Sequence, residues 1–203
     1  MSIEGSIDNI TERKAALRAS VRAARRALTD AEREESALLV AQMLSALPGL
    51  SDIDGRVILA YMPMRYELDI LPSAGMLREK GARIAFPLCT EGHGLRLFVP
   101  QGKESFRTGA YGIEESVPEL CCEVEPSELY AILLPAVAFD AKLNRLGQGG
   151  GYYDRLLAVT DCFTVACGLD CQLVPEVPTE PTDRKVRAIV TPTFSAVSGP
   201  GGE

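Results

Sequence analysis

Between Leu133 and Arg155 the chain concentrates residues suited to holding an anion. An apolar run, Leu133-Leu134-Pro135-Ala136-Val137-Ala138-Phe139, leads through Asp140 and Asn144-Arg145-Leu146 into Gly147-Gln148-Gly149-Gly150-Gly151, then Tyr152-Tyr153-Asp154-Arg155. Glycine has no Cβ, so this loop can turn sharply and bring its backbone N–H groups close to a phosphate. A helix starting just after it adds partial positive charge, and Arg145 adds a fixed cation. Taken alone, a glycine triplet serves a flexible turn equally well. Its position between a buried strand and a helix, with Arg145 before it and Asp154 after it, favours the phosphate. The spacing is neither of the two common cradles. The dinucleotide fingerprint needs a glycine where Tyr152 stands, and the Gly-Lys-Ser/Thr of the nucleotide P-loop occurs nowhere in the chain.

A second group of cations lies far away in sequence. From Arg13 to Arg26 there are six basic residues, Arg13, Lys14, Arg18, Arg22, Arg25 and Arg26, and no acidic one, in a chain of formal net charge −7. Leu17, Val21, Ala24 and Leu28 recur at helical steps and should pack inward, with Lys14, Arg18 and Arg22 on the neighbouring stripe. Such a charge run is ordinarily a solvated helix face. The net negative charge argues against a general nucleic-acid coat, which needs a surplus of Lys and Arg. His93 is the single histidine, so a histidine-based triad or multi-histidine metal centre is excluded by counting; in Gly92-His93-Gly94 it reads as an exposed bystander. Cys162, Cys167 and Cys171 lack a fourth ligand at finger-like spacing and read as buried thiols. Met1 to Asp8 has neither a basic start nor an apolar stretch, so a reducing, cytoplasmic setting is expected. The longest charge-free apolar stretch, Leu129 to Phe139, is 11 residues with Pro135 inside it, short of the ~20 that span a bilayer.

These groups need a frame. With 203 residues, 46% hydrophobic and 24% charged, the chain suits a single globular domain whose core needs no disulfide staples. Thr29 and Glu32 form a capping box that opens a second helix, whose run Leu38, Leu39, Met43, Leu44, Leu47 stops at Pro48-Gly49, so a helical hairpin leads the fold. Val57 to Tyr61 reads as a strand, Ile70 to Lys80 as a helix stopped by Gly81, and Arg83 to Leu88 as a second strand. Leu95 to Val99 is a half-buried strand, and Tyr130 to Phe139 the strongest of all, of the kind covered on both faces in parallel sheets. A helix from Tyr152 to Val159 and strands at Phe163 to Leu169 and Ala188 to Thr191 complete the series. The alternation predicts an α/β fold: a three-layer α/β/α sheet, mostly parallel, with residues 1–203 as one domain. Residues 1–10 and 197–203 are expected to fray, and Pro175 to Asp183, with three prolines, to form a rigid surface loop.

The motif Arg145-Leu146-Gly-x-Gly-Gly-Gly-Tyr152-Tyr153-Asp154, preceded by Pro135-x-x-x-Phe139-Asp140, resembles the signature of the 5-formyltetrahydrofolate cyclo-ligase family, also called methenyltetrahydrofolate synthetases. Lys14-x-x-x-Arg18, Glu67-Leu68-Asp69, Gly109-Ala110-Tyr111-Gly112-Ile113-Glu114, and Asp183 with Ile189-Val190-Thr191 extend the likeness over most of the chain. Three positions depart from the family pattern: Gln148 replaces a Tyr or Arg, Glu115-Ser116 replaces Glu-Pro, and Pro192 replaces an acidic residue.

The resemblance implies an enzyme that uses ATP and Mg²⁺ to close 5-formyltetrahydrofolate into 5,10-methenyltetrahydrofolate, releasing ADP and phosphate. ATP would phosphorylate the formyl oxygen and N10 would attack the formyl carbon. Lys14 and Arg145 would be catalytic. Lys14, Arg18, Arg145, Gly147, Gly149, Gly150, Gly151, Tyr152 and Tyr153 would bind ATP. Glu67, Tyr111 and Gln148, with Gly149, Gly150, Gly151 and Tyr152, would bind the folate. Asp154 and Asp183 would hold Mg²⁺, although Asp154 also suits the dipole of the helix it opens. At least one of Tyr152 and Tyr153 should be core packing, and Arg22 and Arg25 should mainly solvate the first helix. The expected partners are the two substrates, without nucleic acid or membrane, for a monomer. Two other readings use the same residues: a catalytically silent relative that binds nucleotide, or RNA through the basic stripe, and a small-molecule kinase with an atypical phosphate loop.

Overall fold

The computed structural model describes residues 4–109 and 112–199. Helix α1 spans Glu4–Ala27 and α2 spans Asp30–Ser45. Between them Thr29 makes the expected capping box: its hydroxyl accepts from the Glu32 N–H at 3.2 Å, and its own N–H donates to Glu32 Oε2 at 2.7 Å. The α2 helix lies on α3 (Leu71–Glu79), while α1 lies on the turn at Asp170–Gln172 and on Ala138–Phe139. Helix α1 begins at Glu4, inside the segment expected to fray.

Strand β1 (Val57–Leu59), α3 and β2 (Arg83–Cys89) form the predicted β-α-β unit, with Ile58 opposite Ile84 in parallel register. β3 (Leu95–Pro100), β6 (Cys121–Val124), β7 (Leu129–Pro135), β10 (Phe163–Cys167), β11 (Ala188–Val190) and β12 (Ser195–Val197) join them in one eight-stranded sheet of order β12-β11-β10-β7-β1-β2-β3-β6. β11, β10, β7, β1 and β2 run parallel, and β12, β3 and β6 pair antiparallel at the two edges. Val197 pairs with Ala188, so the fold holds the chain one residue into the segment expected to fray. The parallel strands are apolar on both faces because both faces are covered. Ile58, Ile84, Leu133 and Val165 pack beneath α2 and α3, whereas Leu59, Ile132, Leu134 and Ala166 pack with Leu156 and Leu157 of α4 (Tyr152–Ala158). The three-layer arrangement is therefore present.

The strongest predicted strand is shorter than its apolar run. β7 ends at Pro135, which has no N–H to extend a ladder. The carbonyls of Ala136 and Val137 then accept from Gln172 Nε2 at 2.6 and 3.2 Å, and Ala138–Phe139 (β8) folds back on Arg145–Leu146 (β9) as a separate ribbon. A second ribbon pairs β4 (Phe106–Thr108) with β5 (Glu114–Ser116). The proline-rich segment is also more than a surface loop: Val177 is buried, and its N–H donates to Asp140 Oδ2 at 2.9 Å. No helix of the described residues is long and apolar enough to cross a membrane.

Candidate active site

Strand order turns at β1: the chain goes from β1 to β2 on one side, while β7 and β10 build the other. In open α/β sheets such a switch leaves a crevice beyond the carboxyl ends of the strands. A cavity of about 350 Å³ lies there. Tyr61 and Met62 after β1, Pro87 and Cys89 of β2, Leu95 of β3, and Pro135 of β7 give it an apolar wall; Glu67, Arg145, the 147–151 loop and Asp154 give it a polar one. Glu67, Arg145, Gly147, Gln148, Gly149, Gly150, Gly151, Tyr152, Tyr153 and Asp154, drawn from two separate parts of the sequence, thus meet in one place. Tyr111 lies outside the described residues.

The glycine loop is held by its carbonyls. Arg18 Nε donates to Gly147 O at 2.9 Å and Arg155 Nη2 to Gly150 O at 2.8 Å, while no backbone N–H from Gly147 to Gly151 donates to another described residue. The N–H groups are therefore the open half of the loop, as an anion requires. Gly149 and Gly151 have φ of +103° and +68°, a region L-residues avoid, and a Cβ on Gly149 would lie 3.7 Å from the Arg18 guanidinium. Arg145 is held underneath: its side chain is 5% exposed, Nη2 donates to Asp154 Oδ1 at 2.6 Å, and Nε is buried without a partner. Burial lowers the Arg145 pKa and the Asp154 charge works against that shift; an arginine stays protonated all the same. Tyr153 packs into the core, and burial raises its pKa, while Tyr152 faces the exposed His93 ring at 5.1 Å.

Helix α1 supplies the second tier of cations, in a way the periodicity only half foresaw. Lys14 Nζ lies between Glu180 Oε2 at 2.5 Å and Asp183 Oδ2 at 2.7 Å. Burial alone would lower the ammonium, but hydrogen bonds and charge from the two carboxylates outweigh it and its pKa is raised. Burial and the neighbouring Arg22 charge instead lower the Arg18 pKa. Arg22 donates to Gln148 Oε1 at 2.7 Å. Arg25, expected to be solvated, is buried, with Nη1 3.7 Å from Glu67 Oε1, whereas Ala24, expected inside, is exposed. Glu67 is likewise a buried carboxylate: Oε1 accepts from Gln148 Nε2 at 2.7 Å and Oε2 from the Met64 N–H at 3.1 Å.

Sequence reasoning missed Arg22, Arg25, Arg155 and Glu180 as neighbours of the site. Only the proximity of Arg22 and Arg25 to Lys14 and Arg18 hinted at the first two. Among the described residues no three His, Cys, Asp or Glu side chains gather as a metal cluster. The donor set suits a cation that keeps most of its waters: Asp154 is 70% exposed with one oxygen given to Arg145, and Asp183 gives Oδ2 to Lys14 and to the Glu180 N–H.

A crevice at the switch point of a mostly parallel sheet, edged by a cation-backed glycine loop, is the arrangement of an α/β enzyme. The family model described as the 5-formyltetrahydrofolate cyclo-ligase family matches residues 10–192. A 5-formyltetrahydrofolate cyclo-ligase of Mycolicibacterium smegmatis is 33% identical over 193 residues, covering 91% of this chain and 96% of that protein. One from Escherichia coli K12 is 30% identical over 178 residues, covering 85% and 97%. The solution structure of Aquifex aeolicus 5,10-methenyltetrahydrofolate synthetase superposes with a TM-score of 0.79 at 29% identity, covering 94% of this chain and 96% of that one. The chain belongs to the 5-formyltetrahydrofolate cyclo-ligase family.

Proposed function

We propose that this protein closes 5-formyltetrahydrofolate to 5,10-methenyltetrahydrofolate, using ATP with Mg²⁺ and releasing ADP and phosphate. The observation that carries this reading is the glycine loop, its carbonyls tied to Arg18 and Arg155 and its N–H groups open, at the edge of an apolar cavity that ends on the Glu67 carboxylate. The formyl oxygen is a poor leaving group. In the proposed reaction it attacks the γ-phosphorus of ATP, the bond to the bridging oxygen breaks, and ADP departs. N10 then bonds to the formyl carbon and loses its proton to solvent, and the carbon–oxygen bond breaks with phosphate as leaving group.

Such a transfer needs positioning and charge neutralisation rather than a protein nucleophile. Loop N–H groups and Arg145 would face the transferring phosphoryl group, with Lys14 and Arg18 behind them on the rest of the triphosphate. Lys14 would exchange carboxylates for phosphate, a trade of like partners. Glu67 would accept N–H groups of the pterin ring, and Tyr152 would flank a ligand ring. Asp154 and Asp183 would hold Mg²⁺, which neutralises phosphate charge when bound. Mixing protein, 5-formyltetrahydrofolate, ATP and Mg²⁺ should produce the methenyl absorbance, with none when ATP is omitted or Mg²⁺ is chelated. Folded protein that gives no such absorbance would overturn the reading; a phosphate retained on the product would make it a kinase, and RNA binding without turnover a regulatory relative.

A further inference from the structure

Arg25 sits eleven residues after Lys14, about three turns on, so both occupy one face of α1. Its side chain is 7% exposed and that of Glu67 is 6%. At 3.7 Å the pair is too long for a hydrogen bond, and Arg25 Nε is buried with no partner at all. A buried ion pair of this kind is a poor stabiliser compared with apolar packing, because desolvating two charges offsets their attraction. Its presence asks for a reason other than stability.

The surroundings of Glu67 supply one. Oε1 takes its short hydrogen bond from Gln148, which is anchored in turn by Arg22 and stands within the glycine loop. A ligand ring that donates to Oε1 along the direction Gln148 now takes displaces Gln148 from it. Arg25, fixed on a helix, is the charge that still faces the same oxygen afterwards. We infer that Arg25 is a positioning residue for the folate subsite, keeping the Glu67 carboxylate aimed while Gln148 exchanges places with the substrate. The inference rests on the proposed folate role of Glu67.

The experiment is a binding cycle, read by calorimetry with 5-formyltetrahydrofolate and separately with ATP·Mg²⁺, on the native protein, R25M, E67Q and R25M/E67Q. R25M should weaken 5-formyltetrahydrofolate binding at least tenfold and ATP binding less than twofold. In the E67Q background, where no carboxylate needs aiming, the same substitution should change folate binding less than twofold. R25K keeps the charge but not the planar fork, and should lose only about threefold. If R25M fails to fold, R25K carries the cycle, its threefold loss vanishing beside E67Q. Losses that simply multiply, or that fall equally on folate and ATP, would overturn the inference. Native protein that binds 5-formyltetrahydrofolate yet forms no methenyl product would sink the proposed reaction while the cycle still decides the role of Arg25. Native protein that binds no 5-formyltetrahydrofolate would sink both.

Discussion

Arg145 and Asp154 share one ion pair very unequally, the guanidinium 5% exposed and the carboxylate 70%. A carboxylate so well hydrated is screened by solvent and gains little from its partner. In the proposed reaction its contribution goes to the bound Mg²⁺ instead. Asp154→Asn keeps the shape and one acceptor for Arg145 while removing the charge. Steady-state kinetics should show turnover reduced at least about a hundredfold with a higher Mg²⁺ requirement, beside a melting temperature nearly unchanged. Normal turnover at low Mg²⁺ would return Asp154 to a helix-dipole role. At this scale Gly147 to Asp154 were readable as cavity lining because a glycine loop between a strand and a helix is a local pattern. Arg25 was not, since what draws it inward is a carboxylate 42 positions away (67 − 25). Helical periodicity counts a charged side chain as outward by default, and Ala24, small enough to sit anywhere, took the solvent face.

Among the elements, the turn from Asp140 to Asn144 sets where Arg145 stands. Asp140 is fully buried; Oδ1 accepts from the N–H groups of Lys142 and Asn144 at 2.9 and 3.2 Å, and Oδ2 from Val177 N at 2.9 Å. One carboxylate therefore ties the β8–β9 ribbon to the proline-rich strap. Burial would raise its pKa, but hydrogen bonds from Asn144 and from the backbone of Val177, Asn144 and Lys142 outweigh that and hold it below 3.8. A depressed folded pKa stabilises above the unfolded value and loses that stabilisation as pH falls through the folded one. Asp140→Asn should therefore cost about 1–3 kcal/mol in urea unfolding at neutral pH, the difference narrowing as pH falls below 3.8. An equal deficit at both pH values would mean lost packing rather than lost charge. The apolar run ending at Phe139 concealed this break, because Ala136 to Phe139 remain fully buried after leaving the sheet. Hydrophobicity reports burial, and Pro135 alone marked the change of partner.

For the molecule as a whole, the parallel centre of the sheet was legible because strands covered on both faces are long apolar runs. Its edges were not: β6 and β12 have four and three residues, half exposed, and a pattern of period two needs more length than that to register. The cavity opens where those central strands end, so a ligand there joins β1, β2, β7 and the glycine loop in the native state alone. 5-Formyltetrahydrofolate at a hundred times its Kd should add about 2.7 kcal/mol to the folded state. For a chain of this size that raises the melting temperature by about 5–10 °C in a thermal-shift experiment; an unchanged midpoint would place the ligand elsewhere or nowhere. The ion pairs of Lys14 bear on how the protein is made. They join residues 166 and 169 positions apart in the chain. At about 5–20 residues per second on a ribosome, α1 emerges roughly 10–30 s before the carboxylates that receive its lysine. Through that interval Lys14 lacks the two carboxylates that receive it, and a polypeptide released before Glu180 would own the glycine loop and the cavity wall yet lack the anchors that seat Lys14 beside them.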